Sequence, residues 1–156
     1  SGTMPWHSQR WSDTMSEPDM NLASGISAFE AKEFAKAFKF LSPLAENGNA
    51  QAQYRLAVMY QNGLGHVRND MMAYKWMKAA AEQGNALAQH GIGFMYLEGE
   101  CAPKNPQEAA KWFRQAAEQG LAGSQMTLGM LYEQGLGVEQ NEAEARKWYE
   151  KAQQGS

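Results

Sequence analysis

The sequence is poor in cysteine, in clustered charge and in long apolar runs, and each shortage excludes a class of protein. Its 156 residues include a single cysteine, Cys101, which excludes an intramolecular disulfide and a metal site built from several thiolates. No apolar run approaches the roughly 18 residues of a membrane-spanning helix, so we expect no membrane insertion. The 14 basic and 17 acidic side chains are scattered, which argues against nucleic-acid binding.

Catalytic motifs are also missing. The three histidines are His7, His66 and His90, and none belongs to a metal-binding HExxH sequence. The chain has no nucleophile elbow, phosphate loop or dinucleotide-binding fingerprint. We therefore predict a protein that is not an enzyme and that has no catalytic residues, no bound metal and no cofactor.

What the chain does contain is a repeat with a period of 36 residues. The segment AYKWMKAAAEQGNALAQ, which starts at Ala73, returns as AAKWFRQAAEQGLAGSQ from Ala109. A fixed period between 20 and 50 residues predicts stacked units of supersecondary structure. The residues that recur at this spacing include Tyr60, Tyr96 and Tyr132; Gly63, Gly99 and Gly135; Asn69, Asn105 and Asn141; and Trp76, Trp112 and Trp148.

Each repeat is predicted to form two helices, called helix A and helix B. Apolar and small residues at helical spacing predict helix A at about 50–62, 86–98 and 122–134. A glycine follows each helix A, where it can adopt the left-handed conformation that ends a helix. Asn69, Asn105 and Asn141 are predicted to cap each helix B, because an asparagine side chain accepts a hydrogen bond from a free backbone N–H.

This pattern predicts the organisation of the whole chain. We expect residues 1–18 to be a cloning remnant, SGT, followed by a flexible tail, and residues 19–49 to form a divergent first hairpin whose first helix is capped by Asp19. Residues 50–156 form three repeats, at about 50–85, 86–121 and 122–156. If Met4 is the native start we expect a cytoplasmic protein, and a periplasmic one if a signal peptide has been removed.

The pattern AxAQxxLxxMYxxGxG, followed by Asn and then AxKWxxxAAEQG, resembles the Sel1-like repeats, which are relatives of the tetratricopeptide repeats. The resemblance covers residues 50–156 closely and 19–49 loosely. It implies an all-α fold, a right-handed α/α superhelix (solenoid) of about four helix-turn-helix repeats with helix A lining the concave face. Two departures are Ala57, where the family usually has glycine, and Cys101, which stands where the other repeats have Gly65 and Gly137. If that turn requires a positive φ, Cys101 is strained or its loop has another shape.

The resemblance also implies where a partner binds. By analogy, the concave face is lined by residues of helix A that are not needed for packing, and in the middle these are apolar and suited to anchoring a peptide or helix. An alternative is that some of them only cover the neighbouring helix. The residues are Gln51, Tyr54, Val58, Gln61, His90, Phe94, Leu97, Met126, Met130 and Glu133.

The family's usual role implies a non-catalytic module for protein–protein interaction, an adaptor or scaffold that binds a protein or peptide partner on this face. The alternative is an immunity or inhibitor protein that neutralises an effector enzyme by stoichiometric binding. We expect a monomer. If His90 lines the groove, binding is expected to weaken near pH 6, because an unperturbed imidazole becomes charged there. Trp6 and Trp11 in the tail provide a second candidate docking segment.

Overall fold

The structure, a computed structural model, describes residues 15–155. Within that range the chain forms eight helices and no strand. They are α1 (Glu17–Glu30), α2 (Phe34–Glu46), α3 (Ala50–Asn62), α4 (Asp70–Glu82), α5 (Ala86–Glu98), α6 (Pro106–Glu118), α7 (Ala122–Gln134) and α8 (Glu142–Gln154). Each helix packs mainly against its neighbours in the sequence, so the helices form a solenoid of four A–B units.

The caps that the sequence predicts set the helix bounds. Asn69, Asn105 and Asn141 each accept a hydrogen bond from the backbone N–H three residues ahead, at 3.1–3.2 Å. The predicted bounds of the three later A helices are confirmed, and each ends at a glycine with φ between 65° and 71°. The cap predicted for the first helix is wrong. Ser16, not Asp19, caps α1, because its Oγ accepts the hydrogen bond of the Asp19 N–H.

The predicted tail is described only in part, whereas the first hairpin is described in full. Residues 1–14, with Trp6 and Trp11, lie outside the described residues, and α1 begins at Glu17, inside the segment expected to be a tail. The turn between α1 and α2 is short, and Pro43 lies inside α2.

Alanine dominates the core and lets the helices approach closely. Ala37, Ala52, Ala73, Ala88 and Ala109 are fully buried. Larger side chains fill the spaces between the helices, and among them Trp76 and Trp148 are buried, as the repeat predicts. Trp112 is only partly buried against the same core.

A row of buried glutamines joins successive units. The side chains of Gln53, Gln89 and Gln125 donate to the carbonyls of Ala45, Ala81 and Ala117 in the preceding helix B, at 3.1–3.2 Å. Each bond satisfies a carbonyl near the end of that helix, where intrahelical donors run out. The recurrence of glutamine at this position is the sequence signal for this role.

The turn at Cys101 keeps the shape of the equivalent glycine turns. Its φ is 66°, against 70° at Gly65 and 75° at Gly137, so a residue with a side chain adopts the left-handed conformation. Of the two alternatives, strain or a changed loop, the structure supports strain, which costs about 1–2 kcal/mol for a residue other than glycine. The Cys101 side chain is half-buried against the core, near Asp70 at the start of α4.

This environment makes a prediction for thiol reactivity. Burial, followed by the negative charge of Asp70 and its hydrogen bond with the thiol, raises the pKa of Cys101 to about 11. Because the thiolate is the reactive form, alkylation by iodoacetamide at pH 7.5 should be at least about tenfold slower in the folded protein than in urea. The rate should rise with pH toward that pKa, and D70N should raise it at pH 7.5. Equal rates in folded and unfolded protein would contradict the assignment.

Candidate partner-binding face

Helix A has one face in the core and one face that reaches solvent. In α3 the buried positions are Ala52, Gln53, Leu56, Ala57, Met59 and Tyr60. Gln51, Tyr54, Val58 and Gln61 follow one another at spacings of three or four and are exposed or half-buried. Residues at that spacing share a side of a helix, and the same stripe recurs in α5 and α7. We call the three stripes together the helix-A face.

The ten residues expected to bind a partner all lie on this face, and none of them is fully buried. Gln51, Met126 and Glu133 are exposed, whereas Tyr54, Val58, Gln61, His90, Phe94, Leu97 and Met130 are half-buried. Tyr54 and Val58 pack on the core of the first three units. Phe94, Leu97 and Met130 pack on the core of the last two. These five side chains therefore cover the core and also present apolar surface.

His90 lies in an aromatic cluster between α5, α6 and α7. Its ring lies 5.0 Å from Phe94 and 5.4 Å from Phe113, edge to face in both cases. Its Nδ1 is 2.7 Å from the Ser124 hydroxyl in the next unit. Burial lowers the pKa of His90, so the imidazole becomes charged only below its ordinary range. Any weakening of binding by a charged His90 is therefore expected at a lower pH than for an unperturbed imidazole.

Two of the polar residues on the face already have partners within the chain. The Gln61 side chain donates to Glu100 Oε1 at 3.2 Å. Glu133 Oε1 accepts a hydrogen bond from the Tyr149 hydroxyl at 3.0 Å. Each pair is solvent-exposed, so its members can exchange these bonds for bonds with a partner at small cost.

Leu87 is a further apolar residue of the helix-A face, and it is not among the ten residues expected to bind a partner. It lies in the first turn of α5, one unit after Gln51, and is 47% exposed. Met126 is the other large apolar residue that the face exposes, at 51%. Together with the half-buried apolar residues of the face, these two exposed side chains form an apolar surface of the kind that marks interaction sites.

Two kinds of site, a metal-binding cluster and a membrane-spanning helix, are absent from the described part of the chain. Between residues 15 and 155, no three His, Cys, Asp or Glu side chains are placed to hold a metal ion together. None of the helices described is both long enough and apolar enough to span a membrane.

The family model of the Sel1 repeat matches residues 30–49, 50–85, 86–121 and 122–152. The last three ranges are the second, third and fourth units of the solenoid, and the first range covers α2 of the first unit. A Sel1 repeat protein from Oxalobacter formigenes is 38% identical with a TM-score of 0.84, and the match covers 87% of this chain and 54% of that chain. A protective antigen of uropathogenic Escherichia coli with an SLR fold is 33% identical, also with a TM-score of 0.84.

The match to the Escherichia coli antigen covers 97% of this chain and 33% of that chain, so the present chain spans about half and a third of these two proteins. The cysteine rich protein B of Helicobacter pylori is 21% identical with a TM-score of 0.63, over 80% of this chain and 89% of that one, and shares the fold. Among curated proteins no match was found.

Proposed function

Since the chain belongs to the Sel1 repeat family, we propose that it is a non-catalytic adaptor that binds a protein or peptide partner on its helix-A face. Sel1 repeats generally mediate protein–protein interactions. The observation that carries the proposal for this chain is the exposure of two large apolar residues, Leu87 and Met126, on a face whose other apolar side chains are half-buried.

The geometry of the face suits an extended peptide or an amphipathic helix. Tyr54 and Val58 on α3 and Phe94 and Leu97 on α5 provide apolar surface on two successive A helices, and the core already holds these side chains in place. Ordered anchors lose little conformational entropy when a partner binds. Exposed amides and carboxylates such as Gln51 and Glu133 border this surface and are available to pair with a partner backbone.

The test is a pull-down from cells of the source organism, followed by photo-crosslinking. L87E places a charge on the face and should lose the partner, with at least about a tenfold drop in recovery, because an unpaired charge is costly to bury. V67E is the matched control, since Val67 is 79% exposed in the turn before α4 and lies outside the face. Both residues are exposed, so neither change should alter the helical circular dichroism.

A photo-reactive amino acid at position 87 should crosslink the captured partner, and one at position 67 should not. Equal capture by the wild type and L87E, or crosslinking from position 67 alone, would reject the helix-A face. If the captured partner is a single enzyme that loses activity at a 1:1 ratio, the protein is an inhibitor of that enzyme rather than an adaptor.

A further inference from the structure

Arg55 is the one basic residue in the four A helices, and it lies on α3 beside the helix-A face. It follows Gln51 by four residues and precedes Val58 by three, so its side chain borders the stripe that these two residues belong to. The same position holds Gly91 in the third unit and Thr127 in the fourth. The stacking of the units therefore does not require an arginine at this place.

The guanidinium of Arg55 is held in place but is not paired with a carboxylate. Its Nη1 donates to the backbone carbonyl of Gln51 at 3.1 Å, and its Cζ lies 5.8 Å from the centre of the Phe29 ring on α1. Its Nε is buried and has no hydrogen-bond partner. Among residues 15–155 no carboxylate oxygen lies within 4.0 Å of this guanidinium, and the negative charge of Glu30 acts on it only from farther away.

Burial therefore removes water from a positive charge that no close neighbour neutralises. The same burial lowers the pKa of Arg55, against smaller opposing effects of Tyr54 and Glu30, but an arginine stays charged at neutral pH. A partly buried charge without a partner is unfavourable, and an anion that binds to it offsets that cost. Because the guanidinium presents its N–H groups as a rigid planar fork, the anion that fits it best in a protein is a carboxylate.

The charges elsewhere on the A helices restrict the partner further. All of their other charged residues are acids, namely Glu17, Asp19, Glu30, Glu98 and Glu133. A partner that is acidic along its whole length would be repelled by them. A partner with one carboxylate, placed beside apolar side chains, can pair with Arg55 and contact Tyr54 and Val58 on the same helix.

We propose, resting on the function proposed above, that Arg55 binds an aspartate or glutamate side chain of the partner peptide. The acid lies next to the apolar residues of the partner that contact Tyr54 and Val58. Since Gln51 and Phe29 already hold the guanidinium, it loses little conformational entropy when the carboxylate binds. Arg55 thus selects among apolar peptides those with a carboxylate at one place.

The probe is a phage-displayed library of random linear peptides, selected on the full chain. Peptides that bind L87Q more weakly than the wild type are kept, because L87Q removes an apolar contact of the helix-A face without adding a charge. We expect the kept peptides to share an aspartate or glutamate beside an apolar residue. In fluorescence anisotropy with a fluorescein-labelled copy of one such peptide, replacing this acid by its amide should weaken binding to the wild type at least about tenfold.

Variants of the chain test whether Arg55 is the partner of that acid. On R55Q the acidic peptide and its amide should bind equally, because the ion pair is already lost. R146Q is the matched control, since Arg146 is exposed on α8, outside the helix-A face, and its replacement makes the same change in net charge. R146Q should keep the difference between the two peptides. Both variants should keep the helical circular dichroism.

The outcomes separate the role of Arg55 from that of the face. Peptides that depend on Leu87 but share no acid, or that R55Q leaves unaffected, overturn the role of Arg55 and leave the helix-A face standing. If no selected peptide depends on Leu87, the helix-A face is rejected and the role of Arg55 with it. If E30Q and R55Q lower the free energy of unfolding equally and their effects are not additive, Arg55 pairs with Glu30 inside the chain, and the proposal is wrong.

Discussion

Replacing Gly137 with alanine should lower the free energy of unfolding by about 2–5 kcal/mol. Gly137 has a φ of 75°, where an alanine costs about 1–2 kcal/mol. Its added Cβ would lie 2.1 Å from the carbonyl oxygen of Pro106 and 2.6 Å from the carbonyl carbon. These are backbone atoms in the first turn of α6, which Asn105 caps, so this turn has to move to make room. Such overpacking lowers the free energy of unfolding by about 1–3 kcal/mol.

Gly84 provides the matched control for this prediction. It also has a positive φ, 95°, but an added Cβ would meet nothing within 4 Å. G84A should therefore lower the free energy of unfolding only through the strained backbone conformation, by about 1–2 kcal/mol. Urea unfolding followed by circular dichroism gives both values, and their difference measures the contact between the turn of one unit and helix B of the unit before. Equal losses for the two variants would show that the close approach at Gly137 does not constrain the fold.

Cys101 shows how the same site can carry a side chain. The backbone that faces Gly137 is that of Pro106, and the residue in the equivalent place opposite Cys101 is Asp70. The Asp70 carboxylate pairs with Arg68 Nε at 2.9 Å. Arg68 also lies 3.8 Å from Glu100, so this turn has an exposed polar network that the turn at Gly137 lacks. Because the two turns share φ within about 10°, the third repeat has adapted its contacts rather than its backbone.

The sequence predicted most of the fold because its signals are local. Asparagine before helix B and glycine after helix A act within one turn of the chain, and the helix bounds follow from them. The first hairpin is where this reasoning failed, since Ser16 and Asp19 are both good caps, and the structure uses Ser16 with Pro18 in the first helical turn. The helix-A face was found from the stripe left after the packing positions, but the internal partners of His90 and Gln61 were not, because they come from other units.

The side-chain pairs that pack helix A against helix B within a unit could not be predicted from the sequence either. In each pair a large side chain of helix B packs against a small residue of helix A in the same unit. The two residues are 20 positions apart in the sequence in three of the units. Gly93 faces Phe113, and Gly129 faces Tyr149. At the corresponding positions of the second unit, Ala57 and Met77 are buried in one cluster. Where Ala57 replaces the usual glycine, the side chain opposite is therefore Met77, which is narrower than an aromatic ring. This match depends on the spacing between the two helices and not on the local sequence pattern.

The second large effect follows from these pairs. In G93A the new Cβ would lie 2.9 Å from the Phe113 ring, which is 0% exposed and cannot swing away. Overpacking costs about 1–3 kcal/mol, and the gain from alanine in a helix offsets only about 0.5–1 kcal/mol of it. We expect a net loss of about 1–2 kcal/mol in urea unfolding. G123A is the control, because its nearest side-chain atom, His90 Cε1, is at an ordinary 3.5 Å, and it should be neutral or slightly stabilising.

The double variant decides whether the pair is the cause. G93A with F113M recreates the alanine and methionine of the second unit, and Met77 there is 2% exposed, so a methionine fills such a site. F113M alone should cost about 1.5 kcal/mol or less, as a swap of similar volume. If the ring causes the strain, the double variant should be more stable than the sum of the single changes predicts, by about 1 kcal/mol or more. Additive losses would show that Gly93 is needed for the approach of the helix backbones, whatever side chain lies opposite.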